Sequence, residues 1–187
     1  MQVFIGYEWF MSGLTKIVRG GFPVGLADEL REKSEGAVGW YKSFLDGSVI
    51  PNARAFGYAI EIGELLIGAV LIAAAAVWVI RRTRLSDRSR ALLLAATALA
   101  AFGGIFMNLN FHLANGSPHP WLIPKDGFDE GVDLDSLLPL LELVLVVISV
   151  KLFAIVWRRL AAERADGDAV QAQAAGGQPG QAPATRS

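Results

Sequence analysis

The amino-acid sequence predicts an all-α integral membrane protein: a four-helix bundle with an interfacial helix in the external loop between spans 1 and 2. Three observations predict this fold. Of the 187 residues, 53% are apolar, and the formal net charge is only −1. Four apolar segments lie at about 2–18, 56–80, 91–113 and 137–157, and a membrane-spanning helix needs about 20 such residues. The charged residues concentrate in the connections between these segments.

The composition also excludes several classes of protein. The near-zero net charge provides no basic surface for nucleic acid. The chain has no cysteine, so it forms no disulfide and carries no iron–sulfur cluster, zinc–thiolate site or nucleophilic thiol. Any thiol chemistry must therefore belong to a partner or a substrate.

The first predicted span, 2–18, is short and contains Glu8. An interfacial helix is the alternative, because a full span is longer. The segment lacks a basic n-region and a signal-peptidase site, so it does not read as a cleavable signal peptide. Because no basic residue precedes it, we expect a real span whose first turn was lost to a start codon assigned too late. Four polar residues share one stripe of this helix and give it a polar side: Glu8, Ser12, Thr15 and Arg19.

The connection that follows, residues 20–55, carries balanced charges. Trp40, Tyr41 and Phe44 precede Pro51. Amphipathic aromatic rings are favoured at the headgroup level of a bilayer, so this stretch predicts the external interfacial helix.

The second span, 56–80, contains two carboxylates, Glu61 and Glu64. An acidic residue at the centre of a span costs about 2.5–3.5 kcal/mol, so these groups should avoid lipid. At 3.6 residues per turn, Gly57, Glu61, Glu64 and Gly68 share one stripe. We therefore predict that this stripe faces other helices, where glycine lets a neighbouring backbone approach closely.

The connections predict the topology. Residues 81–90 hold five arginines opposed only by Asp87, which is typical of a cytoplasmic loop. Residues 114–135 are acidic and are predicted to be external. Arginines follow the fourth span, so 1–164 should form a four-span domain with both termini in the cytoplasm. The remaining segment, 165–187, is rich in Ala, Gly, Gln and Pro and is predicted to be a disordered cytoplasmic tail.

This topology brings polar groups from all four spans into the external half of the bundle. Ionisable residues within spans are functional hypotheses by default, so the candidate proton-handling residues are Glu8, Glu61, Glu64 and Glu142. Candidate quinone-contacting residues are Asn108, His112 and Trp9. The alternatives are interhelical hydrogen bonding for Asn108 and His112, and packing or anchoring for Trp9.

The residues favour proton chemistry over a bound redox group. Haem with two histidine ligands is not available, because His112 lies in a span and His119 in a loop. The Glu-x-x-His pairs of a di-iron bundle are missing from the sequence. We therefore expect no haem, flavin or metal. Buried carboxylates can exchange protons, which suits quinone reduction and equally suits a proton-coupled transporter.

Four motifs carry a resemblance to a known family: GYEWFMSGLTK (6–16), WYKSFLDGSVIPNA (40–53), GYAIEIGELLIGAVL (57–71) and GIFMNLNFHLANG (104–116). The chain resembles the DoxX family of small four-helix membrane proteins over most of 1–157, and within it the DoxD-type branch. The resemblance implies a subunit of the plasma membrane of a prokaryote that passes electrons from a thiosulfate-like donor to membrane quinone. It also implies a second protein subunit.

Three hypotheses follow from the sequence. The first is a quinone-linked oxidoreductase subunit with the lipid bilayer, quinone and another protein as partners. The second is a non-catalytic membrane anchor of a redox or oxidative-stress complex. The third is a proton-coupled transporter, which four spans without a repeat support poorly. A homo-oligomer is compatible with all three.

Overall fold

The computed structural model describes residues 1–81, 83–115 and 134–176. These ranges contain helices and turns and no strand, which confirms the all-α prediction. The α-helices are α1 (Gln2–Arg19), α2 (Phe22–Lys33), α3 (Gly39–Phe44), α4 (Ala53–Arg81), α5 (Asp87–Ala114) and α6 (Leu134–Gly176). A 3-10 turn, Ser34–Gly36, follows α2; a π-helical stretch, Leu45–Val49, and a 3-10 turn, Ile50–Asn52, join α3 to α4.

Three helical stretches are long and apolar enough to cross a membrane: Gly39–Arg81, Asp87–Ala114 and Leu137–Gln173. They contain the predicted spans 56–80, 91–113 and 137–157, so the prediction of a multi-pass membrane protein is confirmed at this level. The predicted first span is also helical, as α1. Its 18 residues include three charged ones, Glu8, Lys16 and Arg19, and it is not among the described helices that are apolar enough to cross a membrane.

α1 packs antiparallel along α4. The side-chain amide of Gln2 donates to the Leu71 carbonyl at 3.0 Å near one end, and Lys16 pairs with Glu64 near the other. The two backbones touch because glycine lies between them: a Cβ atom added to Gly68 would lie 2.3 Å from the nitrogen of Phe10. The predicted internal stripe of α4, Gly57 to Gly68, is buried at all four positions, which confirms that expectation.

α5 packs against α4 and, more extensively, against α6. The interior between the long helices is an apolar cluster made of Ile5, Trp9, Ile67, Leu71, Ala100, Ala101, Leu138 and Leu145. Large apolar side chains also cover outward faces, for example Leu66, Leu99, Phe106 and Ile155. Exposed apolar surface on this scale is typical of helices that face lipid.

The connection between α1 and α4 folds over the end of α5. Tyr41 is buried, and its hydroxyl lies 3.0 Å from Oδ1 of Asn110, to which it can donate. Trp40 and Phe44 remain exposed. The three aromatic residues therefore have different roles: Tyr41 fixes the connection to the long helices, whereas Trp40 and Phe44 face outward.

α6 continues to Gly176, through the first part of the segment predicted to be disordered. Side chains from Ala161 to Gln173 are exposed. Five of the residues from Ala161 to Gln173 are Ala and two are Gln, which have high helix propensity, so the segment can extend an existing helix without burying apolar area. The rest of the predicted tail, 177–187, and most of the predicted external loop, 116–133, lie outside the described residues.

Candidate functional site

The interior contains two polar clusters instead of the single group expected from the sequence. The Glu142 cluster consists of Trp9, Asn108 and Glu142 and joins α1, α5 and α6. The Glu64 cluster consists of Ser12, Lys16 and Glu64 and joins α1 to α4. Both clusters lie among the long helices, so the side chains of each are held by at least two elements.

The carboxyl group of Glu142 accepts a hydrogen bond on each oxygen. The indole Nε1 of Trp9 donates to Oε1 at 2.5 Å, and Nδ2 of Asn108 donates to Oε2 at 3.2 Å. Glu142 is 0% exposed, and both donors are buried as well. Gly104 makes room for the group, because a Cβ atom there would lie 2.0 Å from Glu142 Oε1.

Glu142 has no ion pair with any residue in the described parts of the chain. Its two partners are neutral N–H donors, which solvate a carboxyl group without cancelling its charge. An ionised carboxylate buried without a cation is expensive. Burial without a cation disfavours the ionised form, whereas the two N–H donors favour it, so the geometry suits a carboxyl group that can exchange a proton.

The Glu64 cluster is charge-balanced. Nζ of Lys16 lies 2.7 Å from Oε1 and 2.6 Å from Oε2 of Glu64. Ser12 Oγ accepts from Lys16 at 2.8 Å and donates to Glu64 Oε2 at 3.0 Å. The Glu64 side chain is 1% exposed, whereas that of Lys16 is 25% exposed. This hydrogen-bonded ion pair offsets the insertion cost of Glu64 and fixes α1 against α4.

Lys16 is not among the site residues predicted from the sequence, although its spacing from Trp9 and Ser12 indicates it. Trp9, Ser12 and Lys16 are spaced i, i+3 and i+7, so they share one stripe of α1 and connect the two clusters. The predicted stripe through Glu8 overlaps this one at Ser12. Glu8 is half-buried, and no described residue hydrogen-bonds its side chain.

The remaining predicted site residues lie outside the two clusters. Glu61 is 5% exposed, one turn before Glu64, and none of the hydrogen bonds between described residues includes its carboxyl group. His112 is half-buried one turn beyond Asn108. Asn110 bonds with Tyr41 and with the Phe106 carbonyl, so it faces different surroundings from Asn108, which contacts Glu142.

Among the described residues, no group of three or more His, Asp or Glu side chains is arranged to hold a metal ion. Comparisons of the chain with protein-family models, curated proteins and solved structures gave no match. The resemblance to the DoxX family therefore stays a prediction that rests on the four motifs.

Proposed function

We propose that this chain is a membrane subunit that supplies protons for quinone reduction from the Glu142 cluster, with electrons from a thiosulfate-like donor. The observation that carries the proposal is the buried carboxyl group of Glu142, which has two neutral donors and no described cation. The donor class rests on the motif resemblance alone. The proton-handling role rests on the geometry.

The proposal includes a four-span topology in the plasma membrane of a prokaryote, with both termini in the cytoplasm. Three spans are the helices that are long and apolar enough. α1 is proposed as the fourth, because it runs along α4 and because Lys16 compensates the charge of Glu64. In a bilayer, small residues and interhelical hydrogen bonds of this kind stabilise helix association.

The chemistry of quinone reduction matches the groups in the Glu142 cluster. Each quinone that becomes a quinol takes up two electrons and two protons, and its carbonyl oxygens accept hydrogen bonds. Trp9 and Asn108 hold the carboxyl group of Glu142 with their N–H donors, and this carboxyl group can pass on a proton and be reprotonated. Glu64 is assigned a different role, since Lys16 holds it as an ion pair.

The experiment is quinone reduction by the purified protein in liposomes, with thiosulfate as donor. Glu142→Gln keeps the shape and removes the titratable proton, and we expect the rate to fall by about 10²–10⁴-fold. Glu32→Gln is the matched control, because Glu32 is exposed on α2 and should leave the rate unchanged. Wild-type rates in Glu142→Gln would remove the assigned role.

A second candidate function is a non-catalytic membrane anchor for a soluble redox protein. The complete burial of Glu142 and the tight Lys16–Glu64 pair favour it, because both clusters could serve only to hold helices together. Purification from native membranes separates the two functions. Recovery of a stoichiometric redox protein without bound quinone, and no quinone reduction by the complex, would favour the anchor.

A further inference from the structure

We propose that the arginine-rich end of the molecule binds the headgroups of anionic phospholipids. The arginine cluster comprises six exposed side chains: Arg81, Arg84, Arg88, Arg158, Arg159 and Arg164. They come from the end of α4, the turn after it, the start of α5 and the far part of α6. The proposal concerns a binding surface and does not depend on the quinone reaction.

The helix packing brings these segments to one end. α5 follows α4 after a short turn, so Arg81, Arg84 and Arg88 are close in the chain. α5 and α6 pack along each other, and Asn108 contacts Glu142 where the end of α5 meets the start of α6. Arg88 lies about 30 Å from this contact, measured back along α5 from Asn108. The same distance measured forward along α6 from Glu142 reaches the segment from Arg158 to Arg164, so both groups of arginines lie at the same end.

No ion pair within the described chain neutralises the arginine cluster. None of its six arginines forms an ion pair with a described residue. Asp87 is engaged by Arg90 at 3.2 Å. Glu163, Asp166 and Asp168 are the other acidic residues nearby, and they form no ion pair with the described part of the chain.

The opposite end differs. In the connection between α1 and α4 the charges pair locally, as in Arg31–Asp28 at 2.7 Å, Lys33–Glu29 at 2.8 Å and Lys42–Asp46 at 3.5 Å. Outside the arginine cluster, Arg19 and Arg54 at the two ends of this connection also lack an ion pair with a described residue, but no other region groups six such cations. A surface with such a charge excess attracts anions from its surroundings.

The neighbouring side chains favour a lipid over a soluble anion. Val79 and Ile80 directly precede Arg81 and are 77% and 78% exposed, and Leu92 follows Arg88 by one turn and is also exposed. Trp157 is exposed next to Arg158. A ligand that satisfies both surfaces has an anionic head for the arginines and an acyl chain for the apolar residues. Basic groups close to a bilayer surface each contribute about 1 kcal/mol to binding anionic lipid, or about fivefold in affinity.

The experiment titrates the full chain in detergent micelles with dioleoyl phosphatidylglycerol or dioleoyl phosphatidylcholine and measures bound lipid by native mass spectrometry. We expect phosphatidylglycerol to bind more tightly and its binding to weaken with added salt. Arg158→Gln with Arg159→Gln should lower the affinity roughly 25-fold. The control pair, Arg31→Gln with Lys33→Gln, also removes two positive charges and should change little.

Three results would overturn the proposal. One is equal affinity for the two lipids. Another is unchanged phosphatidylglycerol binding in the Arg158/Arg159 variant while its thermal unfolding matches the wild type. The third is displacement of phosphatidylglycerol by inorganic phosphate at equal concentration, which would assign the cluster to a soluble anion. Loss of quinone reduction in any variant has no bearing on these outcomes.

Discussion

At the residue scale, two buried carboxyl groups are held by different kinds of hydrogen-bond donor. Glu142 accepts hydrogen bonds from neutral donors, and Glu64 accepts them from a lysine and a serine. Both carboxyl groups lie inside apolar helices, so the sequence alone predicts the same functional role for each. Their partners come from α1 and α5, and these partners separate a group suited to proton exchange from a group fixed as an ion pair.

Replacing Trp9 by Phe tests the hydrogen bond to Glu142. The ring still fills most of its buried volume, but Oε1 loses its 2.5 Å donor. Leaving a buried acceptor unsatisfied costs about 1–3 kcal/mol. We expect a lower thermal unfolding temperature and slower quinone reduction in Trp9→Phe. Trp40→Phe is the control, since Trp40 is exposed, and an equal effect of both substitutions would contradict the assignment.

The Lys16–Glu64 pair calls for a double-mutant cycle. Lys16→Met leaves Glu64 buried without its cation, which should cost about 3–5 kcal/mol. Lys16→Met combined with Glu64→Leu should be much less destabilised than the sum of the two single variants, because no buried charge remains. Unfolding in detergent measures all four proteins. Additive effects would show that the two side chains do not interact.

At the element scale, the sequence predicted the buried face best for α4 and least well for α1. The spacing of Gly57, Glu61, Glu64 and Gly68 predicted the buried face of α4. Exposing a carboxylate to lipid costs so much free energy that the helix must turn this face towards other helices. On α1 the predicted polar stripe through Glu8 overlaps the stripe through Lys16 at Ser12, and helical periodicity alone does not show which of the two faces α4. Contact with α4 selects the stripe containing Lys16, which a single helix cannot reveal.

The close contact of α1 with α4 depends on glycine. In Gly68→Ala the new Cβ would lie 2.3 Å from the nitrogen of Phe10, so the helices must separate. Overpacking of this kind costs about 1–3 kcal/mol, and we expect the Lys16–Glu64 contact to weaken with it. Gly63→Ala is the matched control in the same helix, because its Cβ would meet Met107 Sδ at an ordinary 3.5 Å. Similar unfolding temperatures for both variants would argue against this packing.

At the scale of the whole molecule, the sequence predicted the helical class and three apolar spans well, because length and hydropathy determine both. It did not predict the division of the polar residues into two clusters. That division depends on which helices are neighbours, and on Gly104 admitting the carboxyl group of Glu142 between α5 and α6. The helical extension of α6 to Gly176 was also missed, because low apolar content excludes a core and does not exclude an exposed helix.

The proposed topology can be tested with single cysteines, since the chain contains none. Ser43 and Ser86 are both exposed, and they lie at the two ends of the long helices. We expect a membrane-impermeant thiol reagent added to intact cells to label Ser43→Cys and to leave Ser86→Cys unlabelled until the membrane is opened. Labelling of both, or the reverse pattern, would contradict the proposed orientation.

The proton on Glu142 can be followed while the protein turns over. Infrared difference spectra recorded during quinone reduction in liposomes should contain a carboxylic acid C=O band that changes with turnover. We predict that Glu142→Gln abolishes this band and that Glu64→Gln retains it. Turnover in the wild-type protein without any change in a carboxylic acid band, or a band that persists in Glu142→Gln, would contradict the role of Glu142 as the proton-handling group.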